Sequence, residues 1–572
     1  MERLEKKKIN GHSYYFYAKW GWVNGKCRRL WQKYLGKPED IAKAVIDGGP
    51  PPAYAEVFQF GLPTALWLEA KRQNVVGQIN KLCPKRHQGL SIGDYLTIAA
   101  VNRSIAPVSK QSIWDWFVKT TLRRFLPDAT KSALSSQRFW DHMDAVPEET
   151  AKAIWRNIIS ATLASERIDL SHISYDGTNF YTFISTFNVR CKIARRGKNK
   201  QGRNNLRQVS YGLFCSRDGQ IPLFCDVYEG NCNDARQFPL VIDRFHDFLK
   251  TLPAQGVATS RPDVTIIFDK GNNSADNIAL LDHHQLHFIG SVKLDEHKEL
   301  TAISNDDKRF VACRKPGLES IKEFSLKKTV CGRKRQVLVT FNQKLFNHQL
   351  LTVHHDIEKA LDRLSELKQR LDDRANGVIT RGRAPTESSV EKQCQEILKR
   401  PFLRNMIQTT IKPGPSLDYT FDSEALKQVS DTYLGKKIII TTREAWDHDE
   451  IIEAYHGQYV IEHLFRSMKD RNTGSWWPLF HWTDQKIQIH GLYCTIAVLL
   501  RAVIHRRVKQ ADIHISMKRL LTELGDVMEV VNIYRSPRRR QKQKCQTVLT
   551  KMTEIQQKLV EILGLKQECD TV

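Results

Sequence analysis

Three acidic residues and one helical stripe hold most of the chemistry this sequence can offer. Asp176 and Asp269 each follow a run of apolar residues, and Glu462 lies in Tyr455-His-Gly-Gln-Tyr-Val-Ile-Glu462-His-Leu-Phe-Arg466-Ser-Met-Lys469. At about 100° per residue, Gln458, Glu462 and Lys469 fall about 60°, about 20° and about 40° from Tyr455, all on one side of a helix. Val460, Ile461, Leu464, Phe465 and Met468 gather on the other side, so that face can be buried while Glu462 points into a cleft. Carboxylates at strand ends can converge above a sheet, with a third delivered from a later helix. Their oxygens suit two Mg²⁺ or Mn²⁺ ions, and such a pair, about 4 Å apart, activates an attacking hydroxyl and stabilises the leaving oxygen of a phosphodiester. Taken singly, each Asp reads equally well as a loop or helix cap.

The elements that must position these acids follow from a change of period in mid-chain. Ile168–Tyr175, Ser210–Cys215, Ile221–Tyr228, Val264–Phe268 and His287–Val292 read as strands, with a helix Asp234–Leu249 between the third and fourth. Asp176 is expected to close the first strand and Asp269 the fourth. Three hairpin-like strands and then one reached through a helix is the order of a mixed sheet in an RNase H-like fold. The fold class is therefore α/β: an RNase H-like catalytic core with an insertion, plus a helical N-terminal DNA-binding region and a helical C-terminal tail.

The boundaries read as a β-rich segment 1–60, with strands His12–Trp22 and Cys27–Leu35 about a turn at Asn24-Gly25 and a linker at Pro50-Pro51-Pro52. A helical, basic region 61–165 suits duplex binding. The core occupies 166–298 and 437–505, interrupted by 299–436, and the tail is 506–572.

Charge narrows the class further. The 572 residues carry 88 Lys and Arg against 63 Asp and Glu, a formal net charge of +25, which favours a polyanionic partner such as nucleic acid. No stretch reaches the length of uncharged apolar chain that spans a membrane. Met1 to Lys8 is not followed by an apolar run, so no secretory signal is expected. Twelve cysteines without a C-x-x-C pair read as reduced thiols of a cytoplasmic protein.

Asp176, Asp269 and Glu462, with Tyr455-x2-Gln458-x3-Glu462-x6-Lys469, resemble the bacterial insertion-sequence transposases that have a DDE triad and a Tyr-Arg-Glu-Lys signature. Tyr175-Asp-Gly-Thr-Asn-Phe, Gly219-Gln-Ile-Pro-Leu-Phe, Gly230-Asn-Cys-Asn-Asp234 and His481-x-Thr-Asp-x-Lys-Ile-x-x-His490 are similar to that family too, so the resemblance runs to about residue 505. It implies that the three acids are catalytic and hold two Mg²⁺ or Mn²⁺ ions, and that Tyr455 and Lys469 contact DNA. It implies cleavage of transposon ends, joining of the freed 3′-OH to target DNA, a homodimer on paired ends, and a cytoplasmic, nucleoid-associated location. It also implies that the interruption is a largely β insertion, although Asp356–Asp373 reads as a helix with Ile357, Leu361, Leu364, Leu367 and Leu371 on a packed face. Gln458 stands where the family has Arg, and lacks the charge and planar fork that grip phosphate. Two rival readings remain: a structure-selective endonuclease on the same fold, and a catalytically silent DNA-binding derivative.

Further candidate DNA contacts lie outside the signature. Arg466 is near the helical stripe. Arg190 to Gln208 holds eight basic residues and no acid, among them Arg195, Arg196, Lys198, Lys200 and Arg203. Arg535 to Lys544 is a second basic run. Trp476-Trp477 reads equally as a platform for an unpaired base and as core. Val548, Met552, Ile555, Leu559 and Ile562 have coiled-coil spacing, which serves a dimer seam or packing on the protein's own core.

Overall fold

The computed structural model describes residues 1–23, 25–46, 52–84, 89–199, 201–232, 234–252, 263–472, 476–477, 479–534 and 544–568. Asn24, Pro50, Pro51, Lys200 and most of the Arg535–Lys544 run lie outside these residues. The chain forms two compact units that do not follow its order. One comprises Met1–Leu68, Ser112–Lys131 and Arg507–Val572, the other Glu69–Gln111 and Ser132–Arg506.

The larger unit is built on a ten-stranded mixed sheet. At its centre His172–Tyr181 runs parallel to Thr265–Ile267, which runs parallel to His287–Val292. On one side Arg207–Ser216 pairs antiparallel with His172–Tyr181, and Pro222–Glu229 pairs in turn with Arg207–Ser216. On the other, Lys436–Thr441 pairs antiparallel with His287–Val292. The central strands are buried on both faces, which is why they read as near-continuous apolar runs. The helix Asp234–Thr251 places Phe238, Val241, Ile242 and Phe245 at helical spacing against the sheet, with Phe245 stacked 3.9 Å from Phe214. The helix Asp484–Gln510 is apolar and long enough to cross a membrane, but 94% of its apolar window is buried inside the protein.

Three expectations change here. The first strand does not end at Asp176: it continues through Gly177 to Tyr181, so Asp176 sits within the ladder opposite Leu213. Within 299–436, Ile321–Val330 and Arg333–Asn342 form no separate β segment; they extend the central sheet beside Lys436–Thr441. The rest is mainly helical around its own core, where the helix Gln343–Ala375 packs Ile357, Leu364, Leu367 and Leu371 against Val390, Met406 and Leu417. The third change lies in the tail, within the smaller unit. Val548 belongs to a strand, Lys544–Leu549, which pairs with Met528–Tyr534, itself paired with Tyr54–Gln59. Only Glu554–Ile562 of the expected seam is helical, and Leu559 is fully buried in its own chain.

Residues 61–165 are helical as expected, from Gly61–Arg72 to Glu148–Glu166, although they are divided between the units. The smaller unit also holds a three-stranded antiparallel sheet, Glu2–Ile9, His12–Val23 and Lys26–Gly36. Its first turn, Asn10-Gly11, has positive φ at both residues, as a tight hairpin of that type requires.

Candidate active site

The Glu462 stripe is carried by two helices, not one. His448–His456 ends at Gly457, and Tyr459–Met468 begins after Gln458. The chain keeps right-handed backbone angles across the break, and Val460 and Ile461 bond three residues back, to Gly457 and Gln458. Val460, Ile461, Leu464, Phe465 and Met468 are buried as their spacing requires, while Glu462 and Arg466 are exposed.

Asp269 follows its strand and caps the short turn Lys270–Asn272, accepting from the Lys270 N–H at 2.7 Å. Tyr455, from the first of the two helices, is buried beside it. Its hydroxyl lies 2.8 Å from Ser291 Oγ and 3.4 Å from Asp269 Oδ1. Burial raises the phenol pKa to about 12, so Tyr455 stays protonated and orients Asp269 as a donor. A residue at a strand start, Lys437, also faces this point. Its Nζ is 5.2 Å from the Tyr455 ring centroid. Burial lowers its ammonium pKa, while the carboxylates of Asp269 and Glu462 pull it back up. Lys437 is thus a half-buried lysine whose charged form both acids favour. The sequence held only a faint signal for it, a Lys-Lys pair opening the apolar run Ile438-Ile-Ile440; Lys436 itself is anchored on the carbonyls of Thr301 and Ile303.

Asp176 is tied to the same place from the other side. The Glu462 helix packs on the strand His172–Tyr181, and at its end Lys469 donates to Thr178 Oγ1, two residues from Asp176. Arg471, which the sequence reading passed over, donates to the Tyr181 hydroxyl at 2.8 Å. Gln458 is half-buried in the break, and its Nε2 has no hydrogen-bond partner among the described residues. Among the described residues no three His, Cys, Asp or Glu side chains close a metal site by themselves.

The described residues of the basic stretch are anchored on the neighbouring strand. Arg195-Arg196 pairs with Arg207-Gln208, and Arg195, Arg196, Lys198 and Arg203 are exposed. Buried amides hold its base: Asn199 donates to Gln208, and Gln208 to the Gly230 carbonyl, both at 2.7 Å. A Cβ at Gly230 would lie 1.8 Å from the Gln208 carbonyl oxygen, so that position needs glycine.

Trp476 and Trp477 face inward, which settles their two readings for the core. Trp476 is fully buried and stacks on Phe180 at 4.4 Å; Trp477 stacks on Tyr181 at 4.6 Å and donates to its carbonyl. Neither ring has a face left for a base. Around them the His481 to His490 motif is structural, with His490 on the Trp476 carbonyl at 2.8 Å and on the Tyr493 hydroxyl.

Residues 168–500 match the transposase DDE domain family, more than half of the chain. The protein belongs to that family. Among solved structures, a piggyBac transposase synaptic complex with hairpin DNA is similar at 9% identity and a TM-score of 0.37, over 91% of this chain and 85% of that one. No curated protein matches the chain.

Proposed function

We propose that this protein is a DNA transposase that cuts transposon ends by metal-dependent phosphodiester hydrolysis and joins the freed 3′-OH to target DNA. The observation that carries the reading is geometric: the Tyr455 hydroxyl, on the helix that leads into Glu462, lies 3.4 Å from Asp269 Oδ1, and Asp176 is linked to the same cleft through Thr178 and Lys469. Further support comes from the strand order, in which three antiparallel strands are followed by two parallel to the first; we read it as RNase H-like.

The carboxylates fit hard divalent cations. Asp269 and Glu462 are exposed, which leaves coordination positions for water and a substrate phosphate, as Mg²⁺ requires. Asp176, Asp269 and Glu462 would hold the ions, which when bound supply activation of the attacking oxygen and stabilisation of the leaving one. Tyr455 orients Asp269, Lys437 and Lys469 place positive charge beside the scissile phosphate, and Arg195, Arg196, Lys198 and Arg203 hold the flanking backbone. Joining two ends requires both in one complex, so the acting species is a homodimer.

Asp176→Ala, Asp269→Ala and Glu462→Ala are each expected to abolish nicking of end DNA in Mg²⁺ while binding it nearly as before. Nicking at the unmutated rate by any of the three removes that residue from the site. Cleavage without strand-transfer products identifies a structure-selective endonuclease, and no nicking by the unmutated protein a silent derivative.

A further inference from the structure

The N-terminal sheet is almost all surface: across its three strands only Ala18 and Gly36 are buried. Such a sheet has little core to justify its aromatic content. Residues 1–36 hold nine Lys or Arg against two Glu, and eight Trp, Tyr or Phe. Cross-strand register sorts them onto two faces. On one face Lys7 opposes Tyr14, Arg3 opposes Ala18, Phe16 opposes Tyr34 and Trp20 opposes Arg29. Register shifts after Tyr15 and Lys19 place extra residues in the third strand and keep Tyr34 and Arg29 on that face.

Side-chain contacts confirm the sorting. Arg3 lies 4.8 Å and Arg29 5.8 Å from the Trp20 ring centroid, and Lys7 4.8 Å from that of Phe16. The one acid of the face, Glu5, is 14% exposed and is held by Trp20 Nε1 at 2.6 Å, with Arg3 and Arg29 beside it. The outer residues are uncovered: Trp22 is 78% and Tyr34 54% exposed. On the opposite face Lys544 of the tail strand lies near Lys33 and disfavours its charge.

We propose that the face carrying Arg3, Lys7, Trp20, Trp22, Arg29 and Tyr34 is a duplex-DNA binding surface, separate from the catalytic cleft. Three strands about 4.8 Å apart make a plate about 10 Å wide, which matches a B-DNA major groove about 12 Å wide. Cations braced on rings are fixed in place and lose little freedom when they meet phosphates. Charge selects the partner: the face offers three cations, and its single carboxylate is already paired. The inference rests on the transposase reading only in taking DNA as the polyanion.

The test uses the full-length protein and a fluorescent duplex titrated at several salt concentrations. Arg3→Ala/Lys7→Ala/Arg29→Ala is expected to weaken binding at least tenfold and to reduce the slope of log K against log salt by about 2.7, the value for three lost phosphate contacts. Trp22→Ala/Tyr34→Ala should weaken binding several-fold with the slope unchanged. Unchanged affinity and slope in both variants overturns the proposal. So does an equal loss in Lys6→Ala/Lys8→Ala/Lys19→Ala, which alters the other face, or a loss of binding to phosphatidylserine vesicles with none to duplex. At saturating protein the triple variant should still nick at the parental rate; a parent that never nicks sinks the transposase reading and leaves the slope result standing.

Discussion

The pairing of cation and aromatic ring occurs in two regions of this protein under opposite conditions. In the catalytic unit it is buried: Lys110 Nζ lies 4.3 Å from the Tyr493 ring centroid and 5.0 Å from that of Phe139, and Arg103 donates to the Trp477 carbonyl. In the N-terminal sheet Arg3, Lys7 and Arg29 cover Trp20 and Phe16 but keep contact with water. Buried, the pairing comes at the cost of desolvating charge, and Lys110 is pushed well below the usual lysine range by that desolvation and by Arg103. Exposed, the same residue types present charge to a partner. In degree of burial Lys437 is intermediate, half-buried with its Nζ 5.2 Å from the Tyr455 ring centroid.

The largest contrast should appear in stability. Trp476→Ala removes a fully buried ring stacked on Phe180 and should cost about 3–5 kcal/mol. Trp22→Ala should stay within about 0.5 kcal/mol of the parent. Urea unfolding of both variants measures the difference, and equal losses would erase the distinction between the regions. Next, Lys437→Met should slow cleavage roughly 10- to 100-fold, the scale of losing one positioned electrostatic contact. Its duplex affinity and salt slope should hold; a changed slope with unchanged cleavage would make Lys437 a surface cation like those of the sheet.

A pH effect follows from the buried cluster. Burial, then Lys110 and Arg103, lowers the His481 pKa to about 3. Because the folded pKa is depressed, the unfolded chain binds more protons below about 6.5. Stability from this group is therefore complete above about pH 6.5 and is lost as pH falls toward 3, at up to about 1.4 kcal/mol per unit. His490, also depressed, adds in the same sense. Comparing unfolding midpoints at pH 7.5 and pH 5, His481→Gln should flatten the dependence; an unaltered slope would place the titration elsewhere. The smallest effect is expected of Gln458→Arg, which adds a charge where Gln458 Nε2 has no partner among the described residues. Affinity for cleaved ends should rise a few-fold and the salt slope steepen by about one. No change in either would show that this side chain does not face DNA.

The sequence was legible where pattern and burial agree. All five core strands and the helix after Asp234 stand where apolar runs placed them, within a few residues at most ends. Failures came where local pattern and tertiary role diverge. Asp176 was read as closing a strand, yet the neighbouring strand carries the ladder past it, with Gly212 opposite Gly177. The spacing of the Glu462 stripe could not reveal the break at Gly457, because Gly-Gln keeps helical angles and only the bonding pattern changes. Glu2–Ile9 hides among alternating charges, as an edge strand does when lysines guard it, although Asn10-Gly11 marked its turn. Val548 was read into a helical seam; two heptads are too few to separate a helix from a strand and helix in series. Lys437 and the inward turn of Trp476 depend on contacts between distant segments, which spacing does not encode.

Strand pairing in the smaller unit also dictates when it can form. Val57 lies opposite Val530, so this sheet waits until the whole catalytic unit has been synthesised. During that interval Tyr54–Gln59 is an open edge on an unfinished chain. Ribosome-bound chains halted after residue 510 should therefore be cleaved by protease near residues 52–60 while their catalytic unit resists, and equal resistance in both places would show that the early strand finds another partner. Production of this protein is a race between elongation and the exposed edge, and slow translation of its last third lengthens the odds.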